Sequence, residues 1–362
     1  MRPSKTRIAL AVTVASLTCW TACTVFDDAV LPDARADAAP DVVTSADAAP
    51  DVEICPHTRI PAPPALRDAS ADDAFTVIIA VQPSSKDAGT VGFDLDGVCT
   101  GQGEPAACAA PDGGPDPVDD PGGVDNKLQQ LAGLVGDSLE VADSFKTGAL
   151  GLLFRIEGYN GLPDDDAVQV SAYRSAGLDA NDGGPTQTRR DEWIIDSKDV
   201  VGPDFAPRRP KATGYVSGSI LVASFGNAGV PIGLSEFSVN DAQIVGRLNA
   251  DRGEWALDDA VLAGRWNGSD LLFAVGILKK PPSNALICED VDFMEALRTV
   301  ICGSVDVAES RSKDGLGLRC TYVSMASAFF GAPASFYKTT FAVPPFDTSR
   351  CVDAGTSTFR CE

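Results

Sequence analysis

Short apolar runs of strand-like composition make up most of this chain from residue 75 onward, and Gly, Pro, Asn and Asp separate them. The candidate strands are 75–81, 152–157, 167–173, 193–196, 214–224, 232–238, 243–248, 254–257, 261–266 and 271–278. Most gaps between them are turn-sized, and regularly spaced short strands are typical of antiparallel sheets packed face to face. The sequence therefore predicts a mainly β domain over residues 75–345, an antiparallel β-sandwich or a jelly-roll-like fold.

Two segments with helical periodicity interrupt the strands. Asp125 is a suitable cap for a helix that carries Leu and Val at helical spacing from residue 128 to residue 139. The second helix is predicted over residues 289–302, with an apolar stripe along one side and cysteines at both ends. The predicted fold therefore includes two or three short helices and a disulfide-rich C-terminal part.

The first residues of the chain have the pattern of an export signal. Basic residues precede the apolar run Ile8–Trp20, and small residues follow it. Because the run is shorter than the roughly 20 residues that a membrane-spanning helix needs, we expect residues 1–22 to be removed after export.

A cysteine stands directly after this signal. The segment Trp20-Thr21-Ala22-Cys23 resembles the bacterial lipobox, with Trp20 where that family has an aliphatic residue. The resemblance implies that Cys23 is acylated, becomes the new N-terminus and anchors the protein in a membrane. Because Thr24 and not Asp follows, it also implies the outer membrane, on either its periplasmic or its surface face. Ordinary secretion, with cleavage near Ala22, is the alternative.

Residues 23–74 are rich in Ala, Asp and Pro, and the heptapeptide Ala-Asp-Ala-Ala-Pro-Asp-Val occurs at 36–42 and again at 46–52. Such a segment has too little apolar surface to offset the entropy lost on ordering. We predict a disordered tether that holds the folded domain on the order of 40 Å from the bilayer.

The charge of the chain excludes several classes of partner. The formal net charge is −22, and the signal takes three of the 29 basic residues with it while 51 acidic residues remain. Such a surface repels nucleic acids and anionic headgroups, so membrane attachment depends on the lipid anchor. Glycine-rich phosphate loops are absent from the sequence, which argues against nucleotides.

Cysteine content predicts disulfides. Cys19 leaves with the signal and Cys23 takes the lipid, and the remaining cysteines are Cys55, Cys99, Cys108, Cys288, Cys302, Cys320, Cys351 and Cys361. An even number in an exported protein predicts four disulfides. Short separations favour Cys99–Cys108 and Cys351–Cys361, the latter closing a C-terminal tail over residues 346–362, and leave Cys55 as a long-range partner. The chain has no C-x-x-C pair, which argues against zinc.

His57 is the sole histidine and precedes every predicted strand. We expect it to be a solvent-exposed linker residue. Its position outside the folded body excludes Ser-His-Asp and Cys-His catalytic arrangements there, so no catalytic residue is assigned.

Aspartates crowd the Gly- and Pro-rich loop 94–125. The candidate ligands for calcium, the one cofactor we expect, are Asp94, Asp96, Asp112, Asp116, Asp119, Asp120 and Asp125. Calcium binds six to eight hard oxygens from flexible acidic loops, although the spacing here is not that of an EF-hand. The alternative is that these aspartates occupy exposed turns. A second acidic loop, at residues 164–166, is open to the same two interpretations.

The tether, the stretch Asp94-Leu-Asp-Gly-Val-Cys99 together with Gly122-Gly-Val-Asp-Asn126, the run Ala260–Trp266 and the late cysteines support a resemblance. Over most of residues 75–335 the chain resembles uncharacterised exported lipoproteins of myxobacteria and their relatives. The resemblance implies a shared localisation and architecture, and it carries no activity.

Two functions follow from these observations. The leading hypothesis is a non-catalytic, surface-tethered lipoprotein of the bacterial envelope that binds or scaffolds, with a glycan or another envelope protein as its partner and with calcium stiffening loop 94–125. The alternative is a carboxylate-dependent polysaccharide hydrolase or lyase, for which Glu157, Glu192 and Glu236 lie in or beside predicted strands.

Overall fold

Strands dominate the described part of the chain. In chain order they are β1 (Phe75–Pro83), β2 (Leu152–Tyr159), β3 (Asp165–Leu178), β4 (Asp191–Asp196), β5 (Val200–Val201), β6 (Ala206–Pro207), β7 (Ala212–Ser217), β8 (Ile220–Gly226), β9 (Val230–Pro231), β10 (Ser238–Asp251), β11 (Glu254–Asn267), β12 (Lys279–Lys280), β13 (Ala285–Leu286) and β14 (Tyr322–Thr340). The helices among these residues are α1 (Lys127–Val135), α2 (Gly268–Gly276) and α3 (Val291–Gly303).

The computed structural model describes residues 55, 57–64, 75–84, 91–111, 114, 116–135, 148, 151–179, 190–226, 229–231, 238–251, 254–280, 285–340, 351 and 359–361. All of them belong to one unit, Val52–Glu362. The predicted signal, Cys23 and Asp112 lie outside the described residues. Among the helices described, none has the length and apolar character needed to cross a bilayer.

Eight antiparallel strands close into a barrel. Their order around it is β1, β2, β3, β7, β8, β10, β11 and β14, and the pairing of β14 with β1 closes the ring. The closing pair joins distant parts of the chain, because Ile79 lies opposite Pro333. Strand β4 stands outside this ring and bridges the end of β3, antiparallel, and the end of β14, parallel.

Alternating residues along the barrel strands build separate apolar clusters on the two sides of the wall. In β1, Val77 and Ile79 belong to the large interior core, whereas Ala80 belongs to a second cluster that includes Trp193 of β4. A third cluster lies on the outside of β8, β10, β11 and β14, where Phe93 packs. The wall is therefore covered on the outside at two places, and the loop that carries Phe93 is one of the covers.

The predicted sandwich or jelly roll is wrong, although the mainly β class is correct. The sheet closes on itself through β1 and β14, so a barrel replaces two facing sheets. No local pattern encodes that pairing, because it joins residues at opposite ends of the folded domain. Barrel closure also explains why several strands are long. Barrel strands are tilted relative to the barrel axis, so one long strand can pair with one neighbour at its start and with another at its end.

Three candidate strands had wrong boundaries for local reasons. Runs 254–257 and 261–266 form one strand, β11, because a register shift between Leu257 and Ala260 accommodates the polar residues between them. Run 214–224 is two strands, β7 and β8, joined at Gly218 and Ser219, which both have positive φ. Such a two-residue turn matches the twist of a hairpin.

The predicted strand at 271–278 is wrong, because α2 occupies this segment. The side chain of Asn267 accepts hydrogen bonds from the backbone N–H groups of Ser269 and Asp270, which caps a helix at the end of β11. The other two helices confirm the predicted ones. Asn126 and not Asp125 caps α1, since its Oδ1 accepts from the N–H of Gln129 at 3.3 Å.

The four predicted disulfides are present, but their pairing differs from the favoured one. The pairs are Cys55–Cys99, Cys108–Cys320, Cys288–Cys351 and Cys302–Cys361. The local loops Cys99–Cys108 and Cys351–Cys361 were wrong, because folding brings sequence-distant segments closer than either neighbouring pair. Cys351 and Cys361 therefore fasten the C-terminal tail to the region of α3 and do not close it on itself.

One buried arginine ties several loops to the barrel wall. Arg265 of β11 is 1% exposed. Its guanidinium donates to both carboxylate oxygens of Asp314, at 3.0 and 2.6 Å, and to the carbonyls of Ala308 and Leu95, each at 2.9 Å. All of these partners come from loops, so this single side chain positions the acidic loop on the barrel.

We expect Arg265→Leu to lower the free energy of unfolding by about 3–5 kcal/mol, because Asp314 would remain buried without its cation. Urea unfolding followed by fluorescence measures this loss. The double variant Arg265→Leu/Asp314→Leu should recover part of it, since no unpaired charge then remains.

The matched control is Arg298→Leu. Arg298 pairs with Glu295 one helical turn away on the exposed surface of α3, so the variant should lose less than about 0.5 kcal/mol. Equal losses for the two arginine variants would contradict the anchoring role of Arg265.

Candidate cation site

The acidic loop lies on the outer wall of the barrel. Phe93 and Leu95 pack into the third cluster, against Ala326 of β14 and neighbouring wall residues. The side chain of Asn126 holds the other end of the loop, because its amide donates to the carbonyl of Ala326 at 3.0 Å and accepts from the N–H of Ala326 at 2.9 Å. Asn126 thus pairs with β14 as an added strand would, and it places Asp125 beside residues 94–96.

Three of the predicted ligands converge at this place. Asp94, Asp96 and Asp125 each offer a carboxylate oxygen, and these oxygens lie within 4.8 Å of one another. Two oxygens bound to one calcium ion, at about 2.4 Å each, lie at most about 5 Å apart. The three carboxylates are therefore close enough to share one cation.

Backbone N–H groups fix the orientation of these carboxylates. Oδ2 of Asp125 accepts from Leu95 at 2.7 Å and from Asp96 at 3.3 Å, and Oδ1 of Asp96 accepts from Val98 at 2.8 Å. These bonds use one oxygen of Asp96 and one of Asp125, whereas both oxygens of Asp94 have partners, the N–H of Gly97 at Oδ1 and His57 at Oδ2. The other two oxygens, Oδ1 of Asp125 and Oδ2 of Asp96, are not part of these bonds.

Asp125 carries the strongest indication of a missing partner. The residue is 1% exposed, and its Oδ1 has no hydrogen-bond partner among the described residues. A buried carboxylate oxygen without a partner is costly, and such charges are normally paired or bound to a metal. A cation at this position would remove that cost.

Two further aspartates add to the negative charge. Burial raises the pKa of Asp96 to about 7, with a contribution from the charge of Asp119, and it raises the pKa of Asp119 to about 7 as well. Burial also raises the pKa of Asp125 well above its ordinary value, with contributions from the charges of Asp96 and Asp306. Burial raises the pKa of Asp306 itself to about 7, although Ser324 donates two hydrogen bonds to it.

Sequence reasoning missed Asp306. It lies after α3, about 180 residues from the rest of the cluster, and β14 brings it there through Ser324. A lone aspartate between apolar residues of the sequence Val305-Asp306-Val307 was the available signal, because a charge in an apolar run is either exposed or paired.

His57 is not the exposed linker residue that we expected. Its side chain is 16% exposed, its Nδ1 contacts Oδ2 of Asp94, and its Nε2 lies 3.5 Å from Glu104. The hydrogen bond with Asp94 raises the pKa of His57. The neighbouring Cys55–Cys99 disulfide holds this segment against the acidic loop, so part of the predicted tether packs on the domain.

Close backbone approach makes this junction compact. Gly123 has a φ of +68°, and a Cβ atom there would lie 2.7 Å from the Sγ of Cys99. Thr58 donates to the carbonyl of Gly122 at 2.8 Å and accepts from the N–H of Asp94 at 3.2 Å. Residues 57–58, the disulfide and both ends of the acidic loop therefore form one packed layer.

The remaining predicted ligands do not join the cluster of Asp94, Asp96 and Asp125. Asp116 is exposed on the surface of the loop. Asp120 contributes its backbone to a bridge with Val124. In the second acidic loop, Asp164 and Asp165 accept hydrogen bonds from backbone N–H groups, as turn aspartates do.

The candidate acids for hydrolysis are not arranged as a catalytic pair. Glu157 is held between Arg155, at 2.5 Å, and Lys211, at 2.6 Å. Glu192 is exposed on β4, and Glu236 lies outside the described residues. Among the described residues, these glutamates therefore give no support to the hydrolase or lyase alternative.

In calcium-free buffer we expect Asp96, Asp119 and Asp306 to lower the stability of the protein as the pH rises from about 4 to about 7. Their pKa in the folded protein is about 7 against an ordinary 3.8, so in this interval the folded state binds more protons than the unfolded chain. Their favourable contribution is complete below about pH 4 and is lost above about pH 7. Urea unfolding across this interval measures it.

Asp96→Asn should flatten this dependence, because one of the coupled charges is gone. The matched control, Asp116→Asn, removes an exposed aspartate of the same loop and should follow the wild-type curve. If the stability of Asp96→Asn depended on pH as that of the wild type does, the aspartates of the cluster would not interact electrostatically in solution.

The site offers carboxylate oxygens from two arms of one loop, which are ligands suited to a hard divalent cation. No family model, curated protein or solved structure matches this chain. Its function is therefore argued from the contacts and charges of the loop itself.

Proposed function

We propose that this protein is an exported, membrane-tethered, non-catalytic binding or scaffolding protein whose acidic loop is held on the barrel by a calcium ion. The observation that carries the proposal is the buried Oδ1 of Asp125, which has no hydrogen-bond partner among the described residues and belongs to a carboxylate that shares a 4.8 Å cluster with Asp94 and Asp96. A calcium ion bound there would neutralise this cluster.

Calcium suits the donor set better than other biological cations. The offered ligands are carboxylates, which favours calcium, magnesium or manganese over zinc and copper. Cys99, which lies beside His57 and Glu104, is oxidised in a disulfide and is not available as a soft ligand. Magnesium demands near-ideal octahedral geometry and keeps several waters, whereas calcium accepts irregular sets of oxygens from loops.

The bound ion would fasten the N-terminal segment to the barrel. Asp94 belongs to the cluster and also contacts His57. Leu95 lies between Asp94 and Asp96, and its carbonyl accepts a hydrogen bond from Arg265 of the barrel wall. Without the ion, repulsion among the aspartates opposes these contacts. The cation would thus stiffen the end of the tether as well as the loop.

The disulfides and the leader support the proposed location in the envelope. Four disulfides are typical of a protein that folds in an oxidising compartment outside the cytoplasm. The leader and Cys23 supply the export signal and the proposed lipid anchor. A non-catalytic role agrees with the lack of a histidine within the barrel strands and with the ion pairs that hold Glu157.

We expect the mature protein to bind one calcium ion at this site. Isothermal titration should give one site, and calcium at about 100 times its dissociation constant should stabilise the fold by about 2.7 kcal/mol. Asp125→Asn should weaken calcium binding at least about a hundredfold, because it removes the buried charge.

The matched control is again Asp116→Asn, which should bind calcium as the wild type does. A second control compares the unfolding of Asp125→Asn in calcium-free buffer, where the variant should be at least as stable as the wild type. Unchanged calcium binding by Asp125→Asn, or no calcium binding by the wild type, would refute the proposed site.

Membrane attachment is tested separately through Cys23. In a bacterial host that processes lipoproteins, the wild type should incorporate radiolabelled palmitate and sediment with membranes. Cys23→Ser should be unlabelled and soluble, while Cys19→Ser should behave as the wild type because that residue lies within the leader. An unlabelled wild type would exclude the lipid anchor.

A further inference from the structure

A polar cavity of about 420 Å³ opens next to the cation site. Four segments line it: the N-terminal segment, the acidic loop, β10 and the short helix at residues 311–313. The lining residues that matter here are His57, Arg59, Asp94, Gly97, Gln243 and Arg311. Its volume is that of a site for a small organic ligand.

The cavity is rich in positive charge although the chain is strongly acidic. Arg59 and Arg311 both line it, as does His57, whose Nε2 lies 3.5 Å from Glu104. Among the described lining residues, Asp94 is the one carboxylate, and it also belongs to the cation cluster. A negatively charged ligand would therefore meet guanidinium groups here and not the general acidic surface.

A hydrogen bond from its backbone holds Arg311 in place. Its N–H donates to Oδ2 of Asp241 at 3.1 Å, which anchors the start of the 3₁₀ helix. The guanidinium lies over the backbone of Gly97, whose hypothetical Cβ would be 3.2 Å from Nη2 of Arg311. Within the described part of the chain, this guanidinium has no ion-pair partner.

Asp94 brings the two sites into contact. It contributes an oxygen to the cation cluster and also forms part of the cavity wall. Calcium takes six to eight ligands, and Asp94, Asp96 and Asp125 supply only some of them. Coordination positions on the side of Asp94 would therefore be filled by water or by a ligand in the cavity.

We propose that this cavity binds an acidic sugar, a uronic acid residue of a polysaccharide, with its carboxylate on Arg311 and Arg59 and its hydroxyl groups toward the cation. The carboxylate fits the planar fork of a guanidinium, and vicinal hydroxyls are suitable hard ligands for calcium. Gln243 supplies an amide for a further hydroxyl. The inference rests on the proposed calcium site only for the contact with the hydroxyls.

The test is a titration of the full mature protein with galacturonic acid and with galactose, in calcium and after calcium removal. These two sugars differ in one carboxylate. We expect galacturonic acid to bind the calcium-loaded protein at least about tenfold more tightly than galactose, and calcium removal to weaken binding at least about tenfold.

Arg311→Gln should reduce the affinity for galacturonic acid at least about tenfold while leaving calcium binding intact. Arg311→Lys keeps the charge but loses the planar guanidinium, so its affinity for galacturonic acid should lie between those of the wild type and Arg311→Gln. Arg298→Gln, an arginine of α3 outside the cavity, is the matched control and should bind as the wild type does.

The outcomes separate this inference from the proposed function. A calcium-loaded protein that binds neither sugar, or binds both equally, overturns the inference and leaves the calcium site standing. Galacturonic acid binding that depends on Arg311 in a protein that takes up no calcium supports the acidic-sugar cavity and refutes the calcium site. Wild-type affinity in Arg311→Gln overturns the inference in every case.

Discussion

Closure of the barrel is the constraint on which the rest of the structure depends. Once β1 pairs with β14, the interior core is sealed, and every remaining segment must pack on the outside of the wall or at its ends. The acidic loop takes the outer surface of β8, β10, β11 and β14, with Arg265 buried beneath it. The burial of the loop carboxylates follows from this placement, because the loop packs against an apolar surface of the barrel wall.

Local patterns located most strands and two of the three described α-helices, but they missed α2 and could not give the pairings that distant residues decide. Alternating apolar residues located most barrel strands, and an apolar stripe at helical spacing located α3, because both depend on neighbouring residues. The pairing of Ile79 with Pro333 and the partners of Cys55 and Cys108 depend on the complete topology. A sandwich and a closed barrel share one strand pattern, so the sequence could not separate them.

The candidate site was predictable in part for the same reason. Asp94, Asp96 and Asp125 stood out because they cluster in the sequence, and the fold brings them together. The density of aspartates along the sequence could not distinguish these three residues from the exposed Asp116, because exposure depends on which side of the loop faces the barrel wall. Asp306 and Arg311 come from the segment between α3 and β14, and only the barrel places that segment beside the loop.

Under the lipid anchoring proposed at Cys23, the Cys55–Cys99 bridge would have a mechanical consequence. A pull on the N-terminal end reaches Cys55 before it reaches β1, so tension divides between the covalent crosslink to Cys99 and the chain that continues to Phe75. The crosslink shunts load onto a loop that Asn126 and Arg265 fasten laterally to several strands. The crosslink would thereby resist peeling of β1, which would open the sheet.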